Sequence, residues 1–521
     1  MAASGFSDQG IEPRLPNIEP HGAEPGMSNV NYEIRKSVAV NFVGRYSNIV
    51  IQIAVTAVLA RMLNPADFGV VAAVAVLVTF VSFISEMGLG PAVVQFQDLK
   101  APQVAGLFWF TVLVGTVVAI IFAGCGPLIA RFYGDPEYMR IALALGPTIA
   151  LSCWVIVPLA MLRRAQRFKA IVSVEVTSAV LSGILAVVAA FHHAGVFALI
   201  LKSTAFSVLM FGLCVARCKF NPFIRPSFAG MRRLYSYSGY QFLFNLINYF
   251  TRNLDKIFIG RIMGAATLGI YDMSYRLMLM PIYNLTHVIG PALQPIYAAQ
   301  QQDMRSIFAS YQKVIRLLVI AGGFVGVVSF LCSRDIIYLF YGSKWTAAVD
   351  VFAILSLSIS VQVVLASSGA IFQSIGRTDL LSLSGTLSTL TSIPAIVIGA
   401  WSGNLKLLSW LLVASFMANT MVTFFVLARL GFKRTVYELF QPSAGCIAGV
   451  LLLLAASAAV KMNHTLGETT SLWLLGVKVL AVAGSYWLLI NFTGDLDFLR
   501  KAVAPRFNKR TRQSSGSALG L

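Results

Sequence analysis

The residues of this chain best suited to chemistry are a few polar and charged side chains set inside long apolar runs. Asn41, Arg45, Asn48 and Gln52 follow one another at i, i+4, i+7 and i+11, which places them on one face of an α-helix. Two hundred residues later, Gln241, Asn245, Asn248 and Arg252 stand at matching positions, and Asp255 and Lys256 extend that second stripe. Such groups are costly in hydrocarbon and ordinarily face a bundle interior or a wet cavity, where they mark the route of a substrate or ion. The competing reading is hydrogen bonding that merely holds helices together. That reading suits Asn and Gln better than Arg45 and Arg252, because a lone cation makes poor glue.

Other embedded charges read less sharply. Asp272 and Arg276 lie one turn apart and form either a neutralising pair or part of a site; Asp255 and Lys256 form a similar adjacent pair. Asp255 and Asp272 are candidates for proton or sodium coupling. Glu86 and Glu175, near the ends of apolar runs, are candidate ion sites or interfacially solvated acids. Lys202 and Lys478 have no evident partner in sequence, and Lys202 is the better cavity candidate. Pro147, Pro158, Pro281 and Pro394 fall inside apolar runs, where each removes a backbone hydrogen bond. The six cysteines are scattered with no metal or disulfide spacing, and the sequence implies no metal and no cofactor beyond a coupling ion. No P-loop and no paired acids on a loop are present, which argues against direct ATP use and against an enzyme.

The elements that must carry these residues are membrane helices. Of 521 residues 57% are hydrophobic and 12% charged, against roughly 25% charged in soluble domains. The apolar residues form continuous runs rather than the ten-residue alternation of a barrel. The expected fold is an all-α polytopic membrane protein of about fourteen transmembrane helices: 37–60, 66–88, 104–130, 138–161, 170–191, 195–216, 237–260, 266–290, 313–333, 347–372, 379–400, 405–430, 441–461 and 470–492. With both termini cytoplasmic, 26 of the 40 Lys and Arg residues fall in cytoplasmic segments and 8 in the opposite loops. This asymmetry also explains the net charge of +19 without nucleic acid, since basic residues face the anionic leaflet. The polar, Pro-rich start lacks an apolar signal segment and reads as a tail, with Met27 an alternative start.

A gap-free repeat at an offset of 200 organises the chain. Arg61, Ala66 and Gly69 match Arg261, Ala266 and Gly269; Gly90-Pro91-Ala92 matches Gly290-Pro291-Ala292; Phe42 and Asn48 match Phe242 and Asn248. Two six-helix lobes inserted the same way round, related by a pseudo-twofold along the membrane normal, enclose a central cavity in this reading. The divisions are a tail at 1–34, an N-lobe at 35–220, a C-lobe at 221–434, two further helices at 435–493 and a basic tail at 494–521.

The stretches RMLNPADFGVVAAVAVLVTFVSFISEMGLGPAVVQ (61–95), NLDKIFIGRIMGAATLGIYDMSYRL (253–277) and FQSIGRTDLL (372–381), the last with its first-lobe counterpart RRAQRFKAI (163–171), resemble the polysaccharide transporter branch of the multidrug/oligosaccharidyl-lipid/polysaccharide exporter superfamily, the Wzx-type flippases. The resemblance covers about 35–440. It implies movement of undecaprenyl-diphosphate-linked oligosaccharides across a bacterial inner membrane, for exopolysaccharide or lipopolysaccharide O-antigen synthesis, by alternating access through a cationic cavity. It implies a polysaccharide polymerase and a chain-length regulator as candidate partners. On that implication Arg45, Arg252, Lys256 and Arg276 attract the diphosphate, through guanidinium forks where the residue is Arg. Asn41, Asn48, Gln52, Asn245 and Asn248, with Phe244, Tyr249 and Tyr275, offer partners for sugars. The alternatives are a cation-coupled multidrug antiporter of the same superfamily, whose cavity would be acidic, and a membrane polymerase or ligase, which would need a large outer loop.

Overall fold

Hydrocarbon offers the backbone no partner but itself, so apolar runs of this length fold as helices. The computed structural model describes residues 27–86, 90, 93, 94, 99–218, 224–227, 249, 253–298, 303–462 and 472–495, and these contain helices and turns but no strand. Ten helices among them are long and apolar enough to span a membrane: Phe42–Met62, Ala101–Gly124, Glu137–Arg164, Phe168–Phe191, Val196–Arg217, Met304–Leu331, Thr378–Trp401, Leu405–Gly431, Val436–Lys461 and Trp473–Phe492. A pair bent by 51°, Ser343–Ser356 and Ile359–Ser374, makes an eleventh if taken as one span. The expected fourteen are therefore not all reached among the described residues. Expected span 7 lies mostly outside them, while helices Pro65–Glu86 and Ala265–Ala298 stand at the places of spans 2 and 8.

Three expected spans are interrupted, for local chemical reasons. The first breaks at Cys125, before Pro127, and the second at Val155, before Pro158. Neither proline has an N–H to return to the preceding turn. In the bent pair there is no proline; Ser358 and Ser367 instead donate their hydroxyls to Leu355 O and Val364 O at 2.7 Å, competing with the helical ladder. Pro147 and Pro394 are accommodated inside continuous helices.

The 200-residue register reappears where two helices cross. A Cβ built on Gly69 would lie 1.7 Å from Ala265 O, and one on Gly269 would lie 1.9 Å from Pro65 O. Gly69 and Gly269 are one matched pair and Pro65 and Ala265 another, so each copy receives the other's glycine. Such reciprocity is the mark of a two-fold contact. Beside this crossing, the end of helix Met27–Met62 leaves carbonyls without helical partners. Trp345 Nε1 donates to Ala60 O at 2.8 Å, Lys344 Nζ to Met62 O at 3.3 Å, and Arg61 Nη2 to Leu339 O at 2.7 Å. The repeat partner Arg261 lies 5.6 Å from the centroid of the Phe132 ring, and Gly260 packs on Tyr133. Trp345 is fully buried. Trp345→Phe strands the Ala60 carbonyl and is expected to cost about 1–3 kcal/mol, read as a lower unfolding temperature in detergent.

A second matched device caps a helix at the other end of each copy. Gln166 and Gly376 both adopt left-handed φ, at 52° and 72°, and each is followed by an arginine. Arg167 Nη1 donates to Arg217 O at 2.7 Å and Arg377 Nη1 to Leu430 O at 3.4 Å. Each guanidinium thus meets the negative end of a later helix, and RRAQRFKAI and FQSIGRTDLL play equivalent parts. The last two helices are pinned to Met304–Leu331 and the short helix Ser333–Phe340 that follows it. Lys478 Nζ pairs with buried Asp335 at 2.7 Å, Arg316 pairs with buried Asp495, and between them Tyr486 donates to Ile320 O at 2.7 Å. Lys478 therefore has a partner that its own helix did not reveal.

Candidate functional site

Arg45 is exposed on the first helix and forms no hydrogen bond or ion pair among the described residues. It lines a central cavity of about 470 Å³ together with Gln52 and Thr56 on the same face, spaced as helical periodicity requires. The opposite wall comes from helix Ala265–Ala298, through Arg276, Met280, Tyr283 and Asn284, and from Phe340 and Tyr341. Arg45 also lines a side cavity of about 540 Å³ with Asn48 and Gln52, bounded by Arg163, Phe168 and Glu175. The first-helix stripe therefore serves two cavities, and Gln52 bonds Asn48 across one turn at 3.3 Å.

Arg276 is held from behind. Its Nε lies 2.6 Å from Asp272 Oδ2, while the side chain stays 58% exposed. Its Nη groups form no hydrogen bond among the described residues, which leaves a donor fork for a ligand. The Asp272 side chain is 3% exposed and also takes Lys256 Nζ, from helix 253–262, at 2.9 Å. One buried carboxylate thus positions two cations from different helices.

The adjacent pair Asp255–Lys256 is corrected by this arrangement. Lys256 meets Asp255 through its backbone N–H at 2.8 Å, and its ammonium goes to Asp272. Neighbouring residues on a helix point in divergent directions, so their side chains do not meet. Asp255, 5% exposed, is completed by Tyr271, which donates to Oδ2 at 2.6 Å. Lys202, the other cavity candidate, lines neither of these two cavities.

Of the sugar-binding candidates, Tyr249 donates its hydroxyl to Val76 O at 2.6 Å, and Tyr275 stacks on Tyr271 with centroids 5.4 Å apart. Neither lines the central cavity. Tyr283, Phe340 and Tyr341 do, and sequence reading did not single them out. Tyr283 and Asn284 stand seven and eight positions after Arg276, on its face, which is the signal that would have found them. Asn245, Asn248 and Arg252, with Gln241 and Phe244, lie outside the described residues, as do the side chains of Asn41 and Glu86.

The chain is similar to the teichuronic acid biosynthesis protein TuaB of Bacillus subtilis (strain 168), 25% identical over 340 residues, covering 64% of this chain and 69% of that protein. It is similar to the lipopolysaccharide biosynthesis protein WzxC of Escherichia coli (strain K12), 25% identical over 390 residues, covering 71% and 76%. Its fold is like that of the lipid II flippase MurJ in an inward closed conformation, with a TM-score of 0.67 at 11% identity, covering 88% of this chain and 99% of that one. Residues 58–350, more than half of the chain, match the family described as "Polysaccharide biosynthesis protein", and the chain belongs to that family.

Proposed function

We propose that this chain is a flippase that carries a lipid-linked oligosaccharide between the leaflets of a bacterial inner membrane for surface polysaccharide synthesis. It is a transporter, not an enzyme. One observation carries the reading: among the described residues Arg45 and Arg276 are the charged side chains that line the central cavity, and both present guanidinium N–H groups with no partner there. Paired forks of this kind suit a diphosphate, and Tyr283, Tyr341, Gln52 and Asn284 suit sugar hydroxyls. A drug-cation antiporter is disfavoured, because the described lining of the central cavity holds an unpaired guanidinium, Arg45, and a second one, Arg276, but no acid to hold a cation.

The finer assignments rest on the same reading. Undecaprenyl diphosphate is the proposed carrier lipid, with polymerase and chain-length regulator as proposed partners. Both termini are proposed to be cytoplasmic, which puts the Gly69–Gly269 crossing at the periplasmic face. Arg45 stands seventeen residues before the end of its helix, roughly 25 Å from that closure at 1.5 Å per residue, so the cavity is loaded from the cytoplasmic leaflet. Asn41, Asn245, Asn248 and Arg252 complete the site in this proposal, and Lys256 supports it from behind. Asp272 is the better-placed coupling group, since a proton or sodium ion bound there releases both Lys256 and Arg276.

Complementation tests the function. In a strain lacking its own flippase, the wild-type chain is expected to restore surface polysaccharide, and Arg45→Gln with Arg276→Gln is expected to abolish it at equal protein level. Resistance to cationic drugs in place of restored polysaccharide would overturn the reading.

A further inference from the structure

The side cavity is as large as the central one and shares Arg45 and Gln52 with it, so the first helix is a wall between two chambers rather than the lining of one. Its remaining polar groups are Asn48 from the same helix and Arg163 and Glu175 from the facing helices, with Phe168 as an apolar wall. Arg163 sits in the last turn of helix Ile156–Arg164, at the head of the basic stretch that continues through Arg164, Arg167 and Lys169. It is exposed and forms no hydrogen bond or close ion pair among the described residues. Helices Met27–Met62 and Phe168–Phe191 are locked together on both sides of this chamber: a Cβ on Gly44 would lie 2.3 Å from Val172, and one on Gly183 2.5 Å from Val55. The chamber is thus built between fixed helices.

Resting on the flippase reading, we infer that the side cavity is a docking subsite for a phosphate-bearing lipid headgroup, committed here to that of a polyprenyl diphosphate. Arg163 makes the first contact, and Arg45 passes the headgroup to Arg276. The charges set the direction. In the side cavity Glu175 offsets one of two guanidinium groups, leaving one net positive charge. The lining of the central cavity holds two arginines and no acid, and the anion behind Arg276, Asp272, is shared with Lys256. A dianionic headgroup therefore moves from weaker to stronger attraction while never leaving Arg45. Glu175 keeps the first subsite weak, so that the headgroup is not trapped there.

The test uses the full chain in nanodiscs of phosphatidylcholine, with polyprenyl diphosphate binding followed by native mass spectrometry and phosphatidylglycerol as competitor. Arg163→Gln is expected to weaken binding roughly tenfold, the effect of one lost charge-assisted contact. Glu175→Gln is expected to act in the opposite sense, tightening binding several-fold while slowing delivery to the opposite leaflet. Phosphatidylglycerol is expected not to compete. Arg163→Gln binding within twofold of wild type overturns the subsite; if Arg276→Gln still weakens binding the flippase reading stands, and if neither variant does so that reading falls with it. Equal competition by phosphatidylglycerol overturns the commitment to the diphosphate and leaves a general phospholipid site.

Discussion

Replacing Asp272 with Asn is expected to lower stability by about 3–5 kcal/mol, the usual effect of removing one member of a buried ion pair, and to stop transport. The substitution is nearly isosteric, so the loss comes from charge rather than volume. Lys256 and Arg276 both lose their anion, and Lys256, 19% exposed, is left as a cation in a poorly hydrated place. Arg276→Gln is expected to be milder for stability, because Asp272 keeps Lys256 and the Arg276 side chain is already 58% exposed. It is expected to be no milder for transport. Arg276→Lys does not restore function in this account: Nε on Asp272 and Nη toward the ligand need a fork, which an ammonium lacks. Unfolding temperature in detergent and polysaccharide export, measured on the same three variants, separate these effects. Equal loss of stability in all three would contradict the division of labour between Asp272 and Arg276.

The second large effect concerns the crossing of Pro65–Glu86 with Ala265–Ala298. A Cβ at Gly69 or Gly269 meets backbone under 2 Å away, and backbone cannot turn aside as a side-chain tip can. Gly69→Val and Gly269→Val are expected to splay the two helices, at about 1–3 kcal/mol for overpacking, and to open the end that the wild type keeps shut. A cysteine placed at Thr56, in a background freed of the six native cysteines, reports the change. The wild type is expected to exclude a membrane-impermeant thiol reagent added outside, and either valine variant to admit it. Unaltered exclusion with normal export in both variants would show that the crossing is not a gate.

These two sites show what a sequence can and cannot convey. The matching of Gly69 with Gly269 was legible because the two stand at a fixed offset, whereas their meeting at a helix crossing was not, since it depends on how the two copies pack. The stripe of Arg45, Asn48 and Gln52 was legible because helical periodicity alone puts it on one face. That this face borders two chambers was not, since it depends on where the facing helices Phe168–Phe191 and Ala265–Ala298 lie. Lys256 reaching past Asp255 to Asp272, and Lys478 reaching Asp335, are tertiary pairings that spacing does not encode. Tyr283 and Tyr341 sit in apolar runs where an aromatic facing a cavity looks like one facing lipid. The helix breaks at Cys125 and Val155 could be traced to Pro127 and Pro158, whereas those at Ser358 and Ser367 depend on hydroxyls bending back to the chain, which serines elsewhere also do without a break.

Translocation in a purified system tests the central claim most directly. The full chain is reconstituted in liposomes with a fluorescent polyprenyl-diphosphate oligosaccharide, and a membrane-impermeant quencher reads how much of it lies in the outer leaflet over time. The account predicts that the wild-type chain equilibrates the lipid between leaflets and that Arg45→Gln with Arg276→Gln slows this at least about tenfold, since each lost charge-assisted contact is worth roughly 1.5–3 kcal/mol. Equal rates for the wild type, the double variant and protein-free liposomes would contradict it.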